Sequence, residues 1–273
     1  MNPNLLRGRV LSIAGSDSGG GAGIQADIKA ITALGCFAMT AVTAITVQDT
    51  QGVSGIHPVP DDIIAAQIER VLADLGADGV KTGMLGTSSV IEAVTAALAR
   101  SANDLPLVVD PVMVAKGGAL LLADTAVGAM KALLLPRATL ITPNLPEASV
   151  LIGRPVTSLA DMHAAIPDLM ALGPRAVLLK GGHLETDEIF DIYEGPEGRH
   201  EWRSPRIATR HTHGTGCTLA SAIAAGLAQG LPMIQAIGRA RAYVRIAIET
   251  APGFGRGHGP LNHAHTVNPF VGE

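Results

Sequence analysis

The sequence predicts an α/β fold built on one mainly parallel sheet. Runs rich in β-branched residues alternate with helix-length segments along the chain, the pattern of successive βαβ units. No linker, composition break or internal repeat divides the 273 residues, so they read as one domain. The residues with the most chemistry fall just after the strands, where open α/β sheets collect ligands.

The elements follow in order. "RVLSIAG" reads as a first strand, and "GSDSGGGAG" as a glycine-rich turn into a helix over 24–34. "FAMTAVTAITVQ" is rich in β-branched residues and reads as one second strand. "PDDIIAAQIERVLADL" is a helix with Pro60 near its start and acids in its first turn, as the helix dipole prefers. "DGVKTG" is a short strand, and "TSSVIEAVTAALAR" a helix capped by Thr87 or Ser88. "LPLVVDPV" is a buried strand ending on a carboxylate. "ADTAVGAMKALLLP" is helical, "ATLITPN" a strand and "LPEASVLIG" the start of a short helix. "SLADMHAAIPDLMALG" is helical, with Pro167 expected to kink or break it. "RAVLLKGG" is a strand, and "EIFDIYEGPEGRHEWRSP" a hairpin turning at 195–198. "THGTGCTLASAIAAGLAQG" and "PMIQAIGRARAYVRIAIET" are the closing helices, and the tail after Gly253 reads as loop.

Composition excludes several classes. A net charge of −4 with 3% aromatic residues leaves no basic or stacking surface for nucleic acid. A content of 47% hydrophobic and 16% charged residues argues for a packed core and against disorder. Two stretches without acids, lysines or arginines, 30–48 and 212–238, read as buried strands and helices rather than membrane spans. Cys36 and Cys217 make neither a disulfide framework nor a CxxC zinc site, which indicates a reducing, cytoplasmic setting.

The strand-end motifs carry the chemistry. "GSDSGGGAG" lacks the GK[ST] of a P-loop and misses G-x-G-x-x-G, with Ile24 where the last glycine belongs. It reads either as a flexible turn or as a loop whose amides approach a ligand. Asp110 in "VVDPV" and Glu147 in "NLPE" are carboxylates at separate strand ends that can share a Mg²⁺. Lys180 ends "VLLK" and suits a phosphate; Lys116, in "MVAKGG", is a second cation. In "THGTGC", Gly214 and Gly216 let the chain turn, and the amides of 214–217 open a helix without partners, an anion site. A helix N-terminus also lowers a thiol pKa, so Cys217 reads as a base or nucleophile; the alternative is a small buried residue. Cys36, in an apolar strand, reads as inert, and Met84 as packing. His183 and His213 read as polar lining, and His263 and His265 as tail residues, although H-x-H spacing can ligate a metal.

Together "AGSDSGGGAGIQADIKA", "KTGML", "VVDPVMVAKGG", "LITPNLPEA", "LLKGGH" and "THGTGCTLASAIAAGLA" resemble the hydroxymethylpyrimidine/phosphomethylpyrimidine kinases of thiamine biosynthesis, in the ribokinase-like superfamily. The likeness spans 10–247 with six motifs in order. It implies a single-domain three-layer sandwich, a homodimer, and MgATP-dependent phosphorylation of 4-amino-5-hydroxymethyl-2-methylpyrimidine and then of its monophosphate. It implies that Gln48 bonds the pyrimidine edge and that Gly15, Ala22, Asp27, Met84 and Val112 line or support that pocket. Asp110 and Glu147 would organise Mg²⁺. Asn144, Lys180 and Lys116 would lie along ATP. Gly214, Thr215, Gly216 and Cys217 would form the anion hole, with Cys217 where sugar kinases carry an aspartate. A pyridoxal kinase, or a dual-specificity kinase, is the nearest alternative, and a non-catalytic binding protein on the same scaffold a more distant one.

Overall fold

The structure, a computed structural model, describes residues 7–113, 121–268 and 271. Ten strands and eight α-helices are described: β1 (Arg9–Ala14), α1 (Gly23–Ala33), β2 (Phe37–Val42), β3 (Ala44–Gln48), β4 (Val53–Pro58), α2 (Asp61–Asp74), β5 (Gly79–Thr82), α3 (Ser88–Ser101), β6 (Leu107–Val109), α4 (Asp124–Ala129), β7 (Leu140–Ile141), α5 (Leu145–Ile152), α6 (Leu159–Met170), β8 (Val177–Lys180), β9 (Glu188–Gly195), β10 (Gly198–Pro205), α7 (Thr215–Ala228) and α8 (Met233–Glu249). Eight strands form one sheet in the order β10-β9-β8-β7-β6-β5-β1-β2. The strands from β2 to β8 run parallel, and the β9–β10 hairpin adds two antiparallel strands at one edge.

The strand period of two builds the three layers. In β6, Leu107 and Val109 join the core beneath α2 to α6, while Val108 joins the core beneath α1, α7 and α8. In β1, Leu11 and Ile13 face the first core and Val10 the second. Both faces of each central strand are buried, which is why these strands read as continuous apolar runs. The expected mainly parallel sheet between helical layers is what the chain forms. Chain order reverses between β5 and β1, so the cleft beyond the carboxyl ends of these strands is the expected ligand site. No described helix is long and apolar enough to cross a membrane.

Three local expectations are corrected. The run 37–48 is two strands in two sheets, not one. Thr43 breaks it, bonding through its N–H to Ala14 O at 3.0 Å and through its hydroxyl to Met84 O at 2.7 Å. The chain then leaves the large sheet, and β3 pairs antiparallel with β4, a strand whose glycine, histidine and proline masked it in the sequence. Pro167 does not break α6, which runs unbroken from Leu159 to Met170. The segment after α4 tightens and loosens through a π turn, Met130–Leu134, and a 3-10 turn, Leu135–Arg137, instead of continuing as an α-helix. Thr87 is the cap of α3, accepting from Val90 N–H, as expected.

The tail is loop, as expected, apart from a 3-10 turn at His263–Thr266, and it is tied down along its length. His258 N–H bonds Thr50 O at 2.8 Å in the β3–β4 turn, and His213 pairs with Pro260 just before α7. Only glycine fits at 257, where a Cβ would stand 2.0 Å from Thr50 O. The two histidines of H-x-H serve the fold. His263 hydrogen-bonds with Thr218 Oγ1 at 2.9 Å, and His265 meets Tyr243 O at 3.1 Å. Burial pushes His263 down to about 4, so it is neutral at physiological pH.

Candidate active site

The site begins at the N-terminus of α7. Gly214 caps this helix in the left-handed conformation, at φ 79°, and a Cβ there would stand 1.8 Å from Gly21 O. Glycine is therefore required twice over, by backbone angle and by the approach of the glycine-rich loop. The amides of Gly216 and Cys217 open the helix without intrahelical acceptors. A Cβ placed on Gly216 would lie 3.3 Å from Lys180 Nζ and 3.6 Å from Asp110 Oδ2. The helix mouth, a lysine from the end of β8 and a carboxylate following β6 thus converge on one point.

Asp110 Oδ1 accepts from Lys180 Nζ at 2.9 Å and from Thr142 Oγ1 at 3.1 Å, leaving Oδ2 on the cleft side, toward Gly216. Burial works against the Lys180 charge, but Asp110 and Glu147 outweigh it and raise its pKa. Lys180 is accordingly a fixed cation. Asn144 and Glu147 form a capping box on α5: Asn144 Oδ1 accepts from Glu147 N–H at 2.9 Å, and Glu147 Oε2 from Asn144 N–H at 2.8 Å. This engagement, not expected from the motif alone, leaves the Asn144 amide nitrogen and one Glu147 oxygen for other partners. Burial raises Glu147 to about 7, with Lys180 opposing.

The sign of that shift yields a stability prediction. A carboxyl raised in the folded state adds stability below its unfolded pKa, near 4.5, and loses it as pH rises through about 7. Glu147→Gln keeps an acceptor for the cap and removes the titration. The unliganded wild type is expected to lose melting temperature between about pH 5 and 8 relative to this variant. Parallel melting curves in that window would refute the buried-carboxyl account.

Cys217 departs from expectation. Burial pushes its thiol up to about 11, with Asp27 and Asp110 acting in the same direction; Lys81 and the Gly23 N–H oppose them. The residue as a whole is half-buried, so solvent softens this shift. The sequence-based expectation weighed only the α7 dipole, and burial of the sulfur, with Asp27 and Asp110 adding to it, prevails over that dipole and Lys81. The resting thiol carries its proton at neutral pH. Cys36 is fully buried and its thiol is also raised to about 11, which agrees with the inert reading.

On the other side of the cleft stands a polar chain that sequence reasoning largely missed. Asp17 accepts from the N–H groups of Gly19, Gly21 and Ala22 at 2.8, 3.1 and 2.7 Å, and from His213 Nε2 at 2.8 Å. It moulds the glycine-rich loop around itself. Burial alone would raise Asp17, but His213 and the loop amides outweigh it and hold the carboxyl below the usual range. Gln48 Nε2 lies 3.4 Å from His213 Nε2, and Gln48 Oε1 3.2 Å from Thr46 Oγ1. Ala22 packs on Gly214, and the Met84 methyl fills the space that a Cβ on Gly15 would need. Val112 is half-buried beside Asp110, its N–H bonding Asp110 O at 2.8 Å.

Of the two roles implied for Asp27, its position fits support rather than lining: it lies beneath the site at 0% exposure, ion-paired with Lys81 at 2.9 Å. Lys116 lies outside the described residues. Among the described residues no group of three or more His, Cys, Asp or Glu could by itself hold a metal ion. His183 lies on the 182–187 segment, away from the Gln48 chain in sequence, whereas His213 does line the cleft.

Comparison with known proteins shows the family and the fold. The family described as Phosphomethylpyrimidine kinase matches residues 17–262. The hydroxymethylpyrimidine/phosphomethylpyrimidine kinase of Bacillus subtilis is 47% identical over 93% of this chain and 94% of its own. The thiamine biosynthesis bifunctional protein ThiED of Geobacter sulfurreducens is 51% identical over 94% of this chain, which spans about half, 52%, of that protein. Among solved structures, an ADP complex of Bacillus subtilis pyridoxal kinase superposes with a TM-score of 0.87 at 36% identity, covering 94% of this chain and 98% of that one. A phosphomethylpyrimidine kinase from Clostridium difficile gives 0.78 at 39% identity, covering 88% and 99%. The chain belongs to the phosphomethylpyrimidine kinase family.

Proposed function

We propose that this chain transfers the γ-phosphoryl group of ATP to the hydroxymethyl group of 4-amino-5-hydroxymethyl-2-methylpyrimidine, and then a second one to the resulting monophosphate. The observation that carries the reading is the convergence at Gly216 of free helix amides, the Lys180 ammonium and the Asp110 carboxylate. Phosphoryl transfer needs in-line positioning and charge neutralisation more than covalent help, and this cluster offers both. The α7 amides and Lys180 hold the equatorial oxygens as charge develops on them. The acceptor oxygen–hydrogen bond breaks as the new oxygen–phosphorus bond forms, and ADP leaves with the bridging oxygen. In the first step the acceptor proton goes to the Cys217 thiolate, whose own proton has first passed to solvent water.

Mg²⁺ fits this donor set only in company with ATP. The free Asp110 Oδ2 would take it directly and Glu147 through water, since Mg²⁺ usually takes one or two carboxylates plus phosphate and water oxygens. When bound it neutralises phosphate charge. Asn144, through its remaining amide nitrogen, would lie along the same phosphates.

Gln48 offers one donor and one acceptor to an aminopyrimidine edge, with Thr46 Oγ1 and His213 Nε2 within 3.2 and 3.4 Å of its amide. Gln48→Ala is expected to raise KM for the pyrimidine about tenfold or more and KM for ATP little, since stripping a buried polar group of its partner costs about 1–3 kcal/mol. A larger change in the ATP KM would remove the assignment.

Pyridoxal is the second reading, favoured by one observation: the pyridoxal kinase ADP complex superposes on this chain over nearly its whole length. Product analysis with the pyrimidine, its monophosphate and pyridoxal, each with MgATP, separates the two. Diphosphate formed from the pyrimidine supports the first. Phosphate transfer to pyridoxal alone would replace it, and no ATP consumption at all would favour a binding protein.

We also infer a cytoplasmic homodimer. Support comes from the two unpaired cysteines and from the apolar outer face of β3, where Ile45 and Val47 are 53% and 64% exposed.

A further inference from the structure

The most deeply buried charges of the described residues lie directly under the cleft, and none of the catalytic steps uses them. Asp27 on α1 and Lys81 on β5 are both at 0% exposure. Lys81 Nζ bonds both Asp27 oxygens, at 3.0 and 2.9 Å. Ser12 Oγ of β1 and Ser221 Oγ of α7 donate to the same carboxylate at 2.6 and 2.7 Å. One side chain is thus bonded by three different elements while standing on a fourth. A pair of apolar residues would fill this space at lower desolvation cost, so this much buried polarity calls for a reason.

The helical repeat supplies it. Asp27 stands one turn below Gly23, the first residue of α1, and Ser221 one turn below Cys217, in the first turn of α7. The Asp27–Ser221 bond on one level therefore sets the level above, where the Gly23 N–H faces the Cys217 sulfur. Two helix N-termini are brought mouth to mouth. The positive ends of both dipoles then face the same small volume.

We propose that Asp27 and Lys81 are positioning residues for phosphoryl transfer: Asp27 ties α1 to α7 so that both helix mouths face the transferring group, and Lys81 balances Asp27 while adding a fixed positive charge below. This rests on the reading of the α7 mouth as the phosphate site. The acidic and basic groups acting on Cys217 are Lys81 from β5, Asp27 from α1, Asp110 after β6 and Lys180 from β8. Of the buried pair, Lys81 has the larger effect on the sulfur, so removing both members leaves the thiol harder to ionise.

The test is the double variant Asp27→Asn with Lys81→Met, which avoids stranding a lone buried charge. Folding is checked by circular dichroism. Steady-state kinetics are measured on both phosphorylations. Alkylation of Cys217 by iodoacetamide is followed against pH by peptide mass, so that Cys36 is counted apart. The expected result is a kcat lower by about 10–100-fold in both steps, as for outer partners of a reacting centre, with a nearly unchanged KM for ATP. The Cys217 alkylation profile is expected to move up by about one pH unit. Ser221→Ala removes a single hydroxyl and tests the same tie if the double variant does not fold. It should lower kcat several-fold and move the alkylation profile in the same direction. Wild-type kcat and an unmoved profile in a folded variant would overturn the proposal. Failure of the phosphate-site reading itself is told apart by Lys180→Met: if that change also left both kcat values and the KM for ATP intact, the site rather than the tie would be wrong.

Discussion

Cys217→Ala is expected to slow phosphorylation of the hydroxymethyl pyrimidine by about 10²–10⁴-fold, the usual worth of a general base, and to leave phosphorylation of the monophosphate within a few-fold. The asymmetry follows from the acceptors. An alcohol must lose its proton as it becomes a phosphate ester, whereas the monophosphate already presents an anionic oxygen. The raised thiol adds a second signature. Because Cys217 is pushed up to about 11, its base form is scarce at neutral pH, and the first-step rate of the wild type should climb with pH between about 7 and 9. That slope should vanish in the alanine variant and be absent from the second step. Equal losses in the two steps, measured separately, would remove the base role and leave Cys217 as wall of the anion hole.

Lys180→Met is expected to lower kcat by about 10²–10³-fold in both steps alike, because the ammonium faces the transferring group whichever acceptor is bound. The Nζ atom is held 2.9 Å from Asp110 and beside the Gly216 backbone, so it is placed before ATP arrives. Its loss also leaves the Asp110 carboxylate buried with only Thr142, and takes from Glu147 its opposing charge. The variant should therefore lose stability, by up to about 3–5 kcal/mol for a broken buried pair. Urea unfolding alongside the kinetics separates this from catalysis. A variant that binds ATP poorly but turns over normally when saturated would show that Lys180 serves ground-state binding alone.

The fold was legible because its central strands are buried on both faces and so stand out as apolar runs between periodic helices. It failed where one run served two sheets: nothing in "TAVTAIT" reveals that Thr43 turns the chain out of the large sheet, since that turn depends on Ala14 and Met84 elsewhere. The phosphate side of the site was legible too, because Gly214, Gly216, Lys180 and Asp110 sit at strand ends or a helix start and need only the topology to converge. The electrostatics were less so. A dipole argument on "THGTGC" sees one helix end, whereas the thiol responds to its desolvation and to Asp27 and Asp110, carried by other elements. Asp27 sits inside a helix and gives no sign that β1, β5 and α7 all bond to it. Lys81 had a signal that went unused: a lysine in the middle of a short apolar strand must find a buried partner.

The central claim is that the amides opening α7, with Lys180 beside them, grip the phosphoryl group in flight. A crystal structure with MgADP, aluminium fluoride and the pyrimidine tests it most directly. The account predicts fluorides within about 3 Å of the Gly216 and Cys217 nitrogens and of Lys180 Nζ, in line between ADP and the hydroxymethyl oxygen. A planar fluoride bound elsewhere in the cleft, with those amides facing only water, would contradict it.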